Sequence, residues 1–482
     1  MVFSDLLFVF AFFPLNMLFY WLMPDIPRKN RVLLIFSLIF YAWAGPMYLL
    51  LLVGMAFADY VVALQVERCK TRRSRKLVLA AGCTINLTLL CIFKYLTFLL
   101  ENIQFLFGVP SEIVEITLPI GISFYTFQLL SYMVDVYRGT VRAQRKFTTL
   151  LLYVSLFHQC IAGPIVRYET VESELTSRSV SSDDLAYGIR RFTVGLAKKA
   201  LFANYCGSLA DTFLVATDAA DGAATLATQP ALSILLGTIC YTMQIYLDFS
   251  AYSDMAIGMG RMVGFHYLEN FLYPYQSTSI TEFWRRWHVS LSSFFRDYLY
   301  IPLGGSRCKR SRIIFNTLVV WVCTGFWHGA SWNYMLWGLF YFAMLCLEKF
   351  VFPNFTQRIP RVAAHLYVLL VVNFGWMLFR CEDLSWLGIE LKGLLGLNGN
   401  GFVSYETLTT LKANFIFLLA AALACTPLVK RLGERLTDWC QRSLRLATVY
   451  QTVLAVIPVA LTVVATACLV GDSYNPFLYF RF

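Results

Sequence analysis

The sequence predicts an all-α polytopic membrane protein with about eleven to thirteen membrane helices, together with interfacial and re-entrant helices. Of its 482 residues, 58% are hydrophobic and only 14% are charged, which is more apolar surface than one soluble core can bury. The apolar residues form blocks close to the ~20 that span a bilayer, for example residues 6–21, 77–93, 415–429 and 453–470. These blocks are too long and too evenly apolar for barrel strands, so a helical bundle is expected.

The first block has no basic residue before it and no small-residue cleavage pattern after it, which favours a retained membrane segment over a removed signal peptide. Next, the Gly45-Pro46 break separates two apolar blocks and predicts a helical hairpin. Three stretches are dense in Lys and Arg, at residues 68–76, 307–312 and 430–445. The positive-inside rule places all three in the cytoplasm. Counting blocks from these anchors predicts that both termini and the Gly- and Asn-rich loop 382–411 are extracytoplasmic.

No repeat, low-complexity tract or long linker divides the chain, so one polytopic domain over residues 1–482 is expected. The net charge of +11 resides in short loops between apolar blocks, which favours membrane orientation over nucleic-acid binding. The thirteen cysteines are scattered through apolar blocks, with no CxxC pair and no histidine spacing suited to zinc. They are expected to be packing residues, and no metal and no permanently bound cofactor is expected.

Residues 279–298 contain three arginines and two acids, so they predict an amphipathic helix and not a membrane span. Ser279 and Glu282 have the spacing of a capping box at its start. At 100° per residue His288 lies at the edge of the apolar stripe, near Trp284. Two interpretations of His288 remain open on this pattern: a buried imidazole bonded to a backbone carbonyl, or a functional group.

His328, in the segment FWHGASW, is the stronger candidate. Sixteen residues separate it from Arg312, which places it roughly 24 Å from the cytoplasmic face if the helix is continuous. An ionisable ring at that depth is costly unless it is paired or lines a wet cavity, which indicates a functional site. The alternative is a histidine that hydrogen-bonds within an interfacial aromatic belt. The small residues near it leave room for a ligand or a backbone, and four tryptophans can wall a narrow cavity: Gly325, Gly329, Ala330 and Ser331, with Trp321, Trp327, Trp332 and Trp337.

Other polar residues inside apolar blocks are less informative. Asp254 and Arg261 are seven residues apart on one helical face, which predicts an internal ion pair, and Asp135 and Lys94 admit the same explanation. No phosphate loop, zinc-protease helix or nucleophile elbow is present. A secondary transporter or a non-catalytic scaffold remains an alternative, although no inverted repeat supports a transporter.

At these motifs the sequence resembles the membrane-bound O-acyltransferase family, in the bacterial branch of alginate O-acetylation proteins and D-alanyl transferases of teichoic acids. The resemblance spans nearly the whole chain and is densest in a core over residues 118–345. It rests on LPIGISFYTFQLLSYMVDVYRG, IAGPIVRY, YLDFSAYSDMAIGMGRMVGF, ENFLYPYQSTSITEFWRRWHVSLSSFFRDYLYIPLGGSR and WHGASWNYMLWGLFY. The closing NPFLYFRF resembles the alginate type. HQCIAGP departs from the family pattern at His158, whose role is left unassigned.

The resemblance implies that His328 matches the family's catalytic histidine and His288 its second polar position. It implies a neutral His328 acting as general base, with His288 or a nearby amide as oxyanion donor. The expected donor is a cytoplasmic acyl-CoA or carrier-bound thioester, the acyl group acetyl, and the acceptor an exported surface polysaccharide; D-alanyl transfer onto teichoic acid is the alternative. A separate extracytoplasmic acyltransferase is an expected partner. Candidates for lining a substrate channel are Trp284, Trp327, Ser331, Trp332 and Asp248.

Overall fold

A computed structural model describes residues 1–43, 45–108, 116–160, 163–215, 219, 221–471 and 475. In this part of the chain every regular element is a helix, which confirms the all-α class. The first half contains α1 (Phe13–Leu22), α2 (Ile26–Ala42), α3 (Pro46–Arg68), α4 (Arg72–Phe107), α5 (Ile122–Arg138), α6 (Phe147–Ser155), α7 (Phe157–Cys160), α8 (Tyr168–Thr176), α9 (Ser182–Ala197), α10 (Asn204–Leu214), α11 (Gly222–Ala227) and α12 (Ala231–Met262). The second half contains α13 (Ile280–Arg286), α14 (Val289–Phe295), α15 (Arg310–His328), α16 (Trp332–Cys346), α17 (Phe355–Arg358), α18 (Arg361–Arg380), α19 (Leu384–Leu394), α20 (Tyr405–Ala424), α21 (Leu428–Cys440) and α22 (Leu444–Gly471).

Seven of the described helices are long and apolar enough to cross a bilayer. They are α3, α4, α12, α18, α20, α22 and the helix Trp332–Val351 that begins with α16. A shorter apolar helix covers Phe8–Leu22. The chain is thus a multi-pass membrane protein, as its composition predicts, while the number of eleven to thirteen spans stays a prediction.

One compact unit comprises Met1–Phe192, Tyr252–Glu269 and Ser293–Leu303. The predicted hairpin at its start is present, because α2 ends at Ala42 and α3 begins at Pro46. Gly139 ends α5 with a positive φ of 80°, and its N–H and that of Thr140 bond back to the helix, a turn that glycine adopts without steric cost. Its core is formed by the facing sides of α2, α3, α5 and α6, where Tyr125, Tyr132 and Tyr153 are fully buried.

The second unit comprises Thr193–Ala251, Asn270–Ser292 and Gly304–Phe482. Its core is a cluster of buried aromatic side chains from α13, α15, α16 and α18. This unit contains both predicted histidines and all of the channel candidates.

Two stretches expected to be loops contain helices. Residues 382–411 include α19 and the first turns of α20, and residues 430–445 lie largely on α21. In α21 the basic residues Lys430, Arg431 and Arg435 alternate with apolar residues at helical spacing, so the charges occupy one side of a short amphipathic helix. The orientation of these stretches across the membrane stays a prediction.

Candidate active site

His328 is the last residue of α15, which packs tightly against α16. A Cβ on Gly325 would lie 2.5 Å from the carbonyl oxygen of Tyr334, and a Cβ on Gly338 would lie 2.5 Å from that of Trp321. Only glycine permits such an approach of two backbones, so these glycines set the distance between the antiparallel helices. The room that the small residues leave is therefore filled by a neighbouring helix.

The imidazole of His328 is buried among aromatic rings, with 6% of the residue exposed. Its ring centroid lies 4.9 Å from that of Trp337 and 5.2 Å from that of Phe379. Asn333 Nδ2 donates a 2.8 Å hydrogen bond to the carbonyl oxygen of Phe379, which fastens α16 to α18 beside the histidine. This interior position disfavours the aromatic-belt interpretation, in which the ring would face lipid headgroups.

His288 lies at a break in the predicted amphipathic helix 279–298, so the expectation of one continuous helix is wrong. Helix α13 ends at Arg286, and α14 begins at Val289. His288 has a positive φ of 45°, which is uncommon for a residue with a Cβ and interrupts helical hydrogen bonding. The break is held by backbone bonds from outside the helix: Leu272 N donates to Arg286 O at 3.0 Å, and Val289 N donates to Asn270 O at 2.9 Å.

The side chain of Asn270 holds the ring of His288. Asn270 Oδ1 lies 3.1 Å from His288 Nδ1, and it accepts from Ser290 N at 3.2 Å and from Ser290 Oγ at 2.9 Å. His288 is 1% exposed, and its ring meets that of Phe249 edge-on at 4.7 Å. Burial lowers the pKa of His288 well below the usual imidazole value, so the ring is neutral near pH 7.

Trp327 joins the two histidines. Its indole centroid is 5.8 Å from the ring of His288 and 5.1 Å from that of His328, and the residue is 4% exposed. The fold thus places His288 and His328, forty residues apart in the sequence, next to the same buried indole. Trp284 lies in the adjoining aromatic cluster, where its ring contacts those of Trp321, Trp337 and Tyr341.

Glu348 fixes the start of α13. Its carboxylate accepts from Ile280 N at 2.7 Å, from Thr281 N at 3.0 Å and from Thr281 Oγ1 at 3.1 Å. Ser279 Oγ accepts from Glu282 N at 3.0 Å, which is the forward half of the predicted capping box. A carboxylate at a helix N-terminus also meets the positive end of the helix dipole. Glu348 therefore ties the segment that leads to His288 to the end of the helix that begins with α16.

The other three residues predicted to line a channel, Asp248, Trp332 and Ser331, lie in different surroundings. Asp248 forms an ion pair with Lys199, 2.9 Å between Oδ1 and Nζ, with at most 2% of either side chain exposed. Trp332 is 54% exposed, and Ser331 is the N-cap residue of α16. Lining of a channel by these residues stays a prediction. His158 is completely buried on α7.

The predicted ion pair between Asp254 and Arg261 is wrong. Asp254 pairs with Arg191 at 2.7 Å, and Arg261 pairs with Asp184 at 2.9 Å. Both partners come from α9. Seven residues of helix separate two side chains by roughly 10 Å along the axis, so each finds a nearer partner on the adjacent helix.

Three residues with structural roles at or near the site, Asn270, Glu348 and Lys199, are not identifiable from the sequence pattern. Asn270 lies within the quoted motif ENFLYPYQ, and a polar residue eighteen positions before His288 carried no spacing signal. Glu348 and Lys199 are charged residues at the edges of apolar blocks, a position that usually indicates a solvated end. Within the described ranges no group of three His, Cys, Asp or Glu side chains is placed to hold a metal ion.

Comparison with known proteins identifies the family of the chain. The model of the family described as MBOAT, membrane-bound O-acyltransferase family, matches residues 142–388, which include both histidines. The chain is 38% identical over 390 residues to "Probable alginate O-acetylase AlgI" of Azotobacter vinelandii, covering 80% of this chain and 76% of that protein. It is 33% identical over 436 residues to "Peptidoglycan O-acetyltransferase" of Helicobacter pylori, covering 83% and 80%.

"Teichoic acid D-alanyltransferase" of Bacillus subtilis is more distant, at 26% identity over 273 residues, 54% of this chain and 67% of that protein. The family match covers more than half of the chain, and the acetylase relatives match most of it at more than 30% identity. The chain therefore belongs to the membrane-bound O-acyltransferase family and is an acyltransferase enzyme of the multi-pass membrane type.

Proposed function

We propose that this enzyme transfers an acetyl group from a cytoplasmic thioester to hydroxyls of an exported polysaccharide, with His328 as general base. The observation that carries the proposal is the burial of His328 and His288 against the same indole, Trp327, in a chain similar to polysaccharide O-acetylases. A buried imidazole at a helix end within an aromatic shell is suited to proton transfer away from bulk water.

In the proposed reaction the neutral imidazole of His328 takes the proton of the acceptor hydroxyl while the hydroxyl oxygen attacks the thioester carbonyl carbon. The C–O bond forms, and the tetrahedral intermediate collapses with cleavage of the C–S bond. The proton then passes from His328 to the leaving thiolate, which gives an ester and a free thiol. A general base typically contributes about 10² to 10⁴ in rate, and an oxyanion donor a further few kcal/mol.

The test is acyl transfer by the purified protein in lipid discs, with radiolabelled acetyl-CoA and oligosaccharides prepared from alginate. His328→Ala is expected to lose at least about 10²-fold in turnover with unchanged expression and unchanged thermal unfolding. The matched control is His266→Ala, because His266 is exposed and pairs with Glu174 at 2.6 Å, apart from the aromatic cluster. Retained turnover in His328→Ala would remove the assignment of His328 as the general base.

D-alanyl transfer is the second candidate, supported by the likeness to the Bacillus subtilis transferase. The two candidates differ in donor and product. Ester-bound acetate and ester-bound alanine, measured on surface polysaccharide from cells with and without the protein, separate them. Loss of ester-bound acetate in His328→Ala supports acetyl transfer, and loss of ester-bound alanine in His328→Ala supports D-alanyl transfer.

Sidedness follows from the proposal, because a cytoplasmic donor and an external acceptor must reach one site. We propose that residues 68–76, 307–312 and 430–445 face the cytoplasm, with both termini and residues 382–411 outside. Cys308 lies within the second stretch and serves as a labelling site. Labelling of Cys308 by an impermeant maleimide only after the membrane is opened is the expected result, and labelling in intact cells contradicts it.

A separate extracytoplasmic protein that completes transfer is the proposed partner, and the proposed docking surfaces are residues 382–411 and the C-terminal tail 475–482. Asn475 accepts a 3.2 Å hydrogen bond from Asn204 Nδ2, and the rest of the tail lies outside the described residues. A pull-down should lose its partner when residues 475–482 are deleted. Unchanged recovery counts against docking at the tail.

A further inference from the structure

The contacts of Asn270 fix the orientation of its amide. Ser290 N always carries a proton, and it lies 3.2 Å from the atom assigned as Asn270 Oδ1. A flipped amide would set an NH₂ group against this N–H, which leaves two donors facing each other. The atom beside His288 Nδ1 is therefore the oxygen, which can only accept.

The protons around His288 Nδ1 can then be assigned. Asn270 Oδ1 lies 3.1 Å from Nδ1 and 2.9 Å from Ser290 Oγ, and Ser290 Oγ lies 3.3 Å from Nδ1. If Nδ1 lacked a proton, it would face the lone pairs of Oδ1 directly. If Ser290 gave its proton to Nδ1, its own oxygen would also face those lone pairs. Only one arrangement places a proton between the two atoms of every close pair. In it, Nδ1 is protonated and donates, and Ser290 Oγ donates to Asn270 Oδ1.

A neutral histidine protonated at Nδ1 carries a lone pair at Nε2. The ring of His288 is faced by the aromatic side chains of Phe249, Phe271 and Trp327 and by the amide of Asn270 and the hydroxyl of Ser290, and none of these five groups ionises near pH 7. Three charged residues on the neighbouring elements form ion pairs with other residues: Asp248 with Lys199, Arg286 with Glu282, and Glu269 with Arg191.

We infer that Asn270 is a positioning residue that holds His288 as the Nδ1–H tautomer, so that His288 Nε2 accepts a hydrogen bond from the acceptor hydroxyl during transfer. This role is the opposite of the oxyanion donor that the family resemblance suggested, because a donor at Nε2 requires either the other tautomer or an imidazolium ion. The hydroxyl that His288 orients is the one that His328 deprotonates. The part concerning the substrate rests on the proposed function, and the part concerning the tautomer does not.

The tautomer is tested without activity by ¹⁵N-histidine magic-angle-spinning NMR of the full chain in lipid bilayers. The chain has five histidines, so the His288 signals are assigned by their loss in His288→Asn. We expect a protonated Nδ1 and an unprotonated Nε2 in the wild type, and loss of this preference in Asn270→Leu. A protonated Nε2 in the wild type overturns the inference, whatever the enzyme acylates.

The role is tested by the pH dependence of acetyl-CoA turnover with alginate oligosaccharides. Asn270→Asp keeps the oxygen acceptor, but its carboxylate stabilises the imidazolium and raises the pKa of His288. If His288 accepts through Nε2, protonation blocks it, so the acid limb of kcat moves to higher pH. If His288 is a donor, Asn270→Asp instead gains activity as the pH falls, and that result overturns the inference.

Two further variants complete the design. Asn270→Ala is expected to lose about 10- to 100-fold in kcat, the range seen when a group that orients a functional histidine is removed. Asn414→Asp is the matched control, because Asn414 accepts from Tyr205 on an exposed part of α20; its pH profile should equal that of the wild type. Absence of all acetyl transfer in the wild type contradicts the proposed function alone, since the NMR result still decides the tautomer.

Discussion

Replacing Glu348 with Ala removes three hydrogen bonds from the start of α13 at once. The carboxylate accepts from two backbone N–H groups and one hydroxyl of Ile280 and Thr281, at 2.7, 3.0 and 3.1 Å. Losing an N-terminal cap typically costs about 0.5 to 2 kcal/mol, and hydrogen bonds to a charged group contribute about 1.5 to 3 kcal/mol. Because Ser279 still caps Glu282 N, we expect a net loss of about 2 kcal/mol, or roughly a 30-fold rise in the open population of α13.

The assay is hydrogen exchange of peptides that cover residues 280–288, measured by mass spectrometry in lipid discs. Exchange in Glu348→Ala should accelerate by that factor, and kcat should fall because His288 follows this helix directly. Glu348→Gln keeps one carbonyl acceptor without the charge and should lie between the wild type and Glu348→Ala. Glu434→Ala is the control, since Glu434 is 61% exposed and pairs with Lys430 only at 4.0 Å. Equal exchange in Glu348→Ala and the wild type would refute the reasoning.

Three further predictions concern Gly325, His288 and Glu390. Gly325→Ala forces a Cβ to 2.5 Å from the Tyr334 carbonyl and should destabilise the protein by about 1 to 3 kcal/mol, measured as a lower midpoint of thermal unfolding. His288→Val should fail to accumulate as folded protein, because a β-branched residue tolerates φ of 45° poorly, whereas His288→Asn should fold and lack activity. Burial raises the pKa of Glu390 from 4.5 to about 7, so the folded state binds the extra proton and stability should fall as pH rises between these values. Glu390→Gln should flatten that part of the profile of unfolding midpoint against pH.

The membrane helices could be predicted because their signal is local. Apolar blocks and the Gly45-Pro46 break encode α2 and α3 without reference to the rest of the chain, and Ser279 caps α13 as its spacing predicts. The pattern of polar residues in apolar surroundings named His328 and His288 as candidates, the resemblance to a family gave them roles, and the structure brings both to Trp327.

The break at His288 could not be predicted, because the apolar periodicity continues through it. The helical bonds lost there are replaced by backbone bonds with Asn270 and Leu272, nineteen and fourteen residues away from their partners Val289 and Arg286. The ion-pair partner of Asp254 could not be predicted either. Whether Asp254 pairs with Arg261 or with Arg191 depends on how two helices pack, and not on the spacing of residues within one helix. Tertiary hydrogen bonds of this kind leave no periodic trace in a sequence.

The glycine contacts between α15 and α16 have a consequence for redesign of the enzyme. With the two backbones in contact at Gly325 and Gly338, no side chain lies between the helices at these two positions, so the distance between them cannot be changed by repacking there, and His328 is held in place at the end of α15. His288, by contrast, is held by hydrogen bonds among the side chains and backbone of Asn270 and Ser290, which one substitution can alter. Substitutions meant to change the acceptor are therefore best made around Asn270 and Ser290, with Asn270, His288 and the α15–α16 pair left unchanged.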